Sequence, residues 1–254
     1  MKLHHTISGT GQPLIILHGL FGSSDNWRVL AKKLANHVQV ITVDLRNHGS
    51  SPHSEAMTYR LMADDLKELL DELSLDKIDL IGHSIGGKVA MEFSQHYSQR
   101  LNKLAIIDIA PKQYAEEHTA IFTALLAIDL TQYSSRSEVD AILSTSIRDK
   151  AVRQFLLMNL AVSNTGLAWR INLVGLRDNY PHLLQAVCGQ NTIHTPSYFL
   201  RGGKSSYIKT EDYQLIQTRY STVEIETIEQ AGHWVHAEAP DEFLSKISEF
   251  FNYD

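Results

Sequence analysis

Residues 78–87 read Ile-Asp-Leu-Ile-Gly-His-Ser-Ile-Gly-Gly, a short apolar run leading straight into G-x-S-x-G. In that spacing Ser84 sits on a strained corner between a strand and a helix, its hydroxyl pushed out at the end of a sheet. The glycines have a steric task. Gly82 and Gly86 remove the Cβ atoms that would collide where the strand and helix backbones cross, and Gly87 extends the clearance. At ordinary Gly and Ser usage, a chain of 254 residues shows this pattern by chance roughly 0.1 times. The strand-like run before it and the helix-like Lys88–Ser94 after it lower that figure further. The chemistry indicated is nucleophilic attack by serine. Such a hydroxyl needs a base to take its proton and a third group to orient the base.

In sites of this kind the chain order is Ser, then Asp or Glu, then His. Among the 13 histidines, His233 stands out, in Gln230-Ala-Gly-His-Trp-Val-His-Ala-Glu-Ala-Pro between the last strand-like run and the last helix. A residue there hangs over the carboxyl ends of the strands, where open α/β sheets bind ligands. His236 is its rival but falls nearer the start of the closing helix. A frequent place for the acid is the loop after Ser197–Leu200, which here reads Arg201-Gly-Gly-Lys-Ser-Ser-Tyr-Ile and offers no carboxylate before Glu211 and Asp212. The run Lys103–Ile107 ends instead in Asp108, 24 residues after the serine. Asp108 is therefore the expected acid, the alternative being a cap for the turn before Pro111. Two backbone amides are expected to receive the oxyanion. One is Ile85; the other comes from His18-Gly-Leu-Phe-Gly, with Leu20 preferred over Phe21.

Other signals fail. Gly203-Lys-Ser resembles the end of a phosphate loop, but Tyr198 stands where the first glycine is required. Gly9-Thr-Gly lacks the third glycine of a dinucleotide fingerprint and precedes a strand. No H-E-x-x-H and no paired C-x-x-C is present, so neither a metal nor a cofactor is expected. Asp44-Leu-Arg-Asn-His-Gly reads as a structural loop at the rim of the site.

The elements that must position these residues alternate. Strand-like runs at Pro13–His18, Val38–Asp44, Lys77–Ile81 and Lys103–Asp108 are separated by helix-periodic stretches near 25–36, 58–73 and 85–97. In the second, Leu61, Leu66, Leu69, Leu70 and Leu73 share one face, with Asp64, Asp65, Lys67 and Glu68 filling the rest. This alternation predicts an α/β fold with a mostly parallel central sheet covered on both faces. It stops at about residue 112. The stretch 112–190 reads as helical throughout, clearest at Ile121–Ile128 and Val152–Ala161, and is too long for a plain connection. It is expected to be a helical lid inserted into a core of 1–111 and 191–254. The sheet resumes at Ser197–Leu200 and Thr222–Thr227.

Composition sets outer limits. A hydrophobic fraction of 43% and a net charge of −6 fit a globular protein and argue against nucleic acid as the main partner. The longest apolar run, Leu14–Leu17, is far too short to span a bilayer, and the N-terminus lacks a signal-peptide core. One cysteine, Cys188, precludes an intrachain disulfide framework and fits a reducing compartment. A cytoplasmic protein acting on a small molecule is expected; oligomeric state stays open.

Five segments carry a resemblance across nearly the whole chain: His18-Gly-Leu-Phe-Gly-Ser, Asp44-Leu-Arg-Asn-His-Gly, Gly82-His-Ser-Ile-Gly-Gly-Lys, Ile107-Asp-Ile-Ala-Pro and Gly232-His-Trp-Val-His-Ala-Glu. Together they resemble the serine-dependent α/β-hydrolase superfamily, and within it the YbfF-type bacterial esterases and their relatives, the abhydrolase-domain-11 proteins. The likeness is weakest in the lid. It implies an α/β-hydrolase fold, an acid at Asp108, and hydrolysis of carboxylic esters and acyl thioesters, including acyl-CoA. Phe21, Phe122, Phe155, Trp169 and Tyr207 are the candidate substrate contacts, though a lid also needs a core of its own. Two alternatives use the same motif: a menaquinone-pathway lyase or carbon–carbon hydrolase, and a receptor that keeps the pocket with little turnover.

Overall fold

The computed structural model describes every residue except 165, 188, 190 and 254, so Cys188 lies outside the described residues. The central sheet has seven strands in the order β1-β3-β2-β4-β5-β8-β9. They are β1 (His5–Ser8), β2 (Pro13–Leu17), β3 (Gln39–Val43), β4 (Ile78–His83), β5 (Leu101–Ile107), β8 (Ser197–Gly202) and β9 (Val223–Ile228). Only β1 runs antiparallel, pairing His5 with Val43 at the sheet's edge. Between these strands lie α1 (Arg28–Leu34), α2 (Tyr59–Glu72) and α3 (Ile85–Tyr97); α8 (Tyr213–Arg219), α9 (Val235–Glu238) and α10 (Pro240–Phe251) follow β8 and β9.

Strand side chains alternate between faces, so each strand feeds two cores. Ile15 and Leu17 join Met62, Leu66, Val89 and Phe93 from α2 and α3 on one face. Leu14 and Ile16 join Leu30, Leu34, Phe243 and Ile247 from α1 and α10 on the other. Burial on both faces explains why these strands read as unbroken apolar runs. One expectation for α2 changes: Asp65 is buried, its carboxylate paired with Arg46 at 2.7 Å. Burying that carboxylate would be costly without the guanidinium. No helix among the described residues is long and apolar enough to cross a membrane.

The chain leaves the sheet after β5 and rejoins it at β8. The intervening segment holds α4 (Thr119–Leu126), α5 (Arg136–Leu143), α6 (Lys150–Leu157) and α7 (Leu173–Leu184). It is not helical throughout. After α6 come β6 (Leu160–Ser163) and β7 (Gly166–Trp169), an antiparallel pair joining Leu160 to Trp169. The expected helix over Val152–Ala161 therefore stops at Leu157. Gly166 takes the left-handed φ of 112° that a hairpin bend favours in glycine. Leu-Ala-Val-Ser and Gly-Leu-Ala-Trp do not alternate apolar with polar residues, so neither strand carries a period-2 signal. The two ends of the segment are stitched together: the Tyr114 amide donates to the Leu184 carbonyl at 2.9 Å, and the Val187 amide to Pro111 at 3.2 Å.

Candidate active site

Ser84 joins β4 to α3 with φ 53° and ψ −121°, a conformation that costs a non-glycine residue about 1–3 kcal/mol. Its amide is held by the Ile107 carbonyl at 3.1 Å, and its own carbonyl accepts the Lys88 amide to start α3. The glycines around it are required sterically. A Cβ on Gly82 would lie 2.3 Å from the Gly86 carbonyl oxygen, and one on Gly86 would lie 2.5 Å from the His18 carbonyl oxygen. The corner is thus wedged from both sides.

Asp108 follows β5, the strand beside β4, in a left-handed turn with φ 50°. It is fully buried, with its donors supplied by the neighbouring segments. Oδ1 accepts the Gly202 amide at 3.0 Å from the end of β8. Oδ2 accepts the His233 Nδ1–H at 2.7 Å, and also the Ser205 hydroxyl. A carboxylate only accepts, so this contact puts the imidazole proton on Nδ1 and leaves Nε2 as a base. Tyr207 stacks on the His233 ring, with centroids 3.9 Å apart and planes 19° apart. Burial raises the Tyr207 phenol above its ordinary pKa, so it stays neutral beside the imidazole.

The backbone of His233 is also fixed. Its carbonyl accepts the Nε2–H of His83, the residue before Ser84, at 2.9 Å. Burial, reinforced by His233 and His236, drives His83 well below the ordinary imidazole pKa, so this is a neutral donor. His236, the rival base, points elsewhere: it stacks on Trp27 at 4.1 Å, and burial pushes it down to about 3.

The loop Gly19–Gly22 closes a turn with a 3.0 Å hydrogen bond from the Gly22 amide to the Gly19 carbonyl, Phe21 taking φ 60°. The loop presses on the Ser84 corner, for a Cβ on Gly19 would lie 3.1 Å from Ser84 Cβ. Ile85 opens α3, so its amide is one of the first-turn N–H groups with no partner inside the helix. The inserted segment reaches the same loop. Buried Asn159 donates from Nδ2 to the Phe21 carbonyl at 2.6 Å. His18 sits beneath, donating from Nδ1 to the Gly19 carbonyl at 2.8 Å and accepting the Leu45 amide on Nε2 at 3.0 Å.

A cavity of about 760 Å³ opens over these groups, within the range of small-molecule sites. Ser84, His233, Leu20, Phe21, Phe155 and Tyr207 line it. Phe122 and Trp169 do not. Phe122 is buried between Phe21 (4.9 Å) and Tyr180 (5.3 Å), and Trp169 on β7 packs against the main core. The inserted segment uses both rings for its own packing. Asp44-Leu-Arg-Asn-His-Gly likewise stays out of the cavity: Asp44 accepts the Ser24 and Ser50 amides at 2.7 and 2.8 Å, bracing the loop. Sequence reasoning passed over His83, Ser205 and Asn159. Only His83 had a visible signal, a histidine inside the nucleophile motif.

Comparison with known proteins gives the family. Residues 12–240 match the family model described as the alpha/beta hydrolase fold. The chain is 38% identical to esterase YbfF of Escherichia coli over 244 residues, covering 94% of this chain and 93% of that one. It is 39% identical over 240 residues to a putative esterase/lipase of Haemophilus influenzae, covering 94% and 83%. It is 38% identical over 251 residues to the sn-1-specific diacylglycerol lipase ABHD11 of Danio rerio, covering 95% and 79%. Among solved structures, a marine microorganism esterase superposes with a TM-score of 0.96 at 38% identity, over 98% of this chain and 99% of that one. The chain therefore belongs to the α/β-hydrolase family, in the branch that holds the YbfF-type esterases.

Proposed function

We propose that this protein is a serine esterase that cleaves carboxylic esters through a covalent acyl-enzyme. One contact carries the reading: the 2.7 Å bond from His233 Nδ1 to Asp108. It leaves Nε2 as the base in the cavity that also exposes Ser84. Nε2 takes the Ser84 proton as Oγ adds to the acyl carbon, and the carbonyl electrons move onto oxygen. The Leu20 and Ile85 amides receive that oxyanion. Asp108 holds the imidazole tautomer and stabilises the imidazolium. The bond from carbon to the leaving oxygen then breaks, and the alcohol departs with the proton from His233. Water repeats the sequence in the second half: it gives a proton to His233, adds to the acyl carbon and expels Ser84. The sum is ester plus water to acid plus alcohol.

The same steps would serve a thioester. The walls favour an uncharged leaving group over coenzyme A. Arg136 is the one lysine or arginine lining the large cavity among the described residues, against Asp25, Glu117 and Glu238. Binding a polyphosphate draws on clustered cations. Oxygen esters are thus the proposed class, with acyl-CoA the poorer substrate. The test is hydrolysis of p-nitrophenyl acetate against acetyl-CoA, with Ser84→Ala as blank and a fluorophosphonate as label. Loss of both turnover and labelling in folded Ser84→Ala supports the reading; retained turnover overturns it.

A further inference from the structure

A second, smaller cavity opens beside Ser84. Five residues line both it and the large cavity: Leu20, Ser84, Glu117, His118 and Tyr207. An acyl carbon bonded to Ser84 Oγ sits at that junction, so the polar groups there are the ones that an ester's oxygens meet.

Most of those groups are already accounted for. The Leu20 amide is one of the two oxyanion donors proposed above. Glu117 carries a carboxylate, which only accepts. The Tyr207 phenol is hydrogen-bonded to that carboxylate, so its proton is committed. His118 remains.

Its protonation is set by a neighbour in the inserted segment. His118 caps the start of α4, and Tyr180 lies on α7. The Tyr180 oxygen accepts the Glu117 and His118 amides at 3.2 and 3.1 Å. Those two N–H groups use its lone pairs, so its own O–H points at His118 Nδ1, 2.8 Å away. Nδ1 is therefore an acceptor, and the ring proton is on Nε2. His233 has the opposite tautomer. Burial, reinforced by His233, lowers the His118 pKa against a weaker pull from Glu117, so the ring is neutral at pH 7. Among the described residues no acceptor takes the Nε2–H. The ring also packs on Phe21 at 6.0 Å, in the loop that holds Leu20. A donor in this position is penalised once substrate displaces water from it, unless the substrate supplies an acceptor.

We propose that His118 is a third oxyanion donor: its Nε2–H bonds the carbonyl oxygen of the ester as Ser84 attacks, beside the Leu20 and Ile85 amides. The proton stays on Nε2 throughout, and Tyr180 is a positioning residue that acts through the tautomer. The proposal rests on the serine-esterase reading above. Its test compares His118→Phe, which keeps a ring of similar size without a donor, with His118→Gln, whose amide NH₂ reaches about as far as Nε2. Loss of one preorganised donor costs about 10²–10³ in kcat, and two backbone donors remain here, so His118→Phe should lower kcat/KM on p-nitrophenyl acetate about 10- to 100-fold. His118→Gln should recover most of that loss. Trifluoroacetone adds to Ser84 and leaves an oxyanion in the same place, so its Ki should rise by the same factor in His118→Phe. Heteronuclear NMR of the ring nitrogens should show His118 protonated on Nε2 in the parent protein and a mixture of tautomers in Tyr180→Phe, with kcat/KM falling in step. A loss below about fivefold in His118→Phe, equal losses in the Phe and Gln variants, an unmoved Ki, or a parent His118 protonated on Nδ1 would each overturn the assignment. If turnover survives in Ser84→Ala, the esterase reading itself has failed. The tautomer measurement needs no turnover and so separates the two results.

Discussion

Replacing Asp108 with asparagine probes the site most sharply, because each of its bonds constrains the outcome. The carboxylate accepts the Gly202 amide on Oδ1 and both His233 Nδ1–H and the Ser205 hydroxyl on Oδ2. An asparagine satisfies Gly202 only with its carbonyl oxygen on that side, which sets its NH₂ against His233. The imidazole then moves its proton to Nε2 and accepts on Nδ1, and in that tautomer it cannot deprotonate Ser84. Reversing the amide restores the working tautomer but strands a buried donor at Gly202. That costs about 1–3 kcal/mol, so the competent form is diluted roughly 5- to 150-fold. The competent minority also lacks the negative charge that steadies the imidazolium. Together the losses approach the ~10⁴ in kcat that the corresponding change costs in a serine protease. The assay is kcat on p-nitrophenyl acetate alongside thermal unfolding, with Tm expected to move by no more than about 2–4 °C. A loss below tenfold would refute the reasoning. So would equal damage from Asp212→Asn, whose carboxylate is committed to Lys112 Nζ at 2.6 Å and the Lys209 amide at 2.8 Å.

Acid should unfold the protein well before its carboxylates are all protonated. Burial holds His48 and His236 down to about 3, and lowers His18 and His83 too. In the unfolded chain these rings take protons near 6.5. The native state binds fewer protons, so this stability is complete above about 6.5 and is lost as pH falls toward the folded values. His48 and His236 alone should remove about 2 kcal/mol between pH 6 and pH 5, read from urea midpoints; a flat profile from 6.5 to 5 would contradict it. Asn159→Ala removes the donor that ties the inserted segment to the Phe21 carbonyl. It should cost about 1–3 kcal/mol of stability and lower kcat about 5- to 50-fold with KM little changed, since losing a whole oxyanion donor costs about 10²–10³. Loss of stability with unaltered kcat would show that the loop does not depend on that tie.

Much of the architecture was legible because it repeats. α2 and α3 carry helical periodicity, and β2, β4 and β5 carry apolar runs buried on both faces, signals summed over many residues. β1 escaped notice because its four residues, His5–Ser8, form a polar edge strand held by β3 alone. The β6–β7 hairpin escaped because neither strand alternates apolar with polar residues. Within the site, the positions of Ser84, Asp108 and His233 followed from motif order and from a loop without a carboxylate. Ser205 and Asn159 were invisible for another reason. A serine or asparagine that matters through one hydrogen bond looks like any other until the backbone brings it within reach. Phe122 and Trp169 show the opposite limit, since aromatic type alone does not separate a cavity wall from a packed core.

The nucleophile corner and the acid belong to one β–α–β unit, and the histidine arrives 125 residues after Asp108, from beyond the inserted segment. Local contacts form early in folding, while distant ones wait on loop closure. A growing chain can therefore set Ser84 and Asp108 on neighbouring strands while it still has no base. On the mechanism proposed above, hydrolytic competence begins only when the segment carrying His233 docks on His83. Turnover thus reports on the completion of folding, and a half-made molecule holds its serine idle.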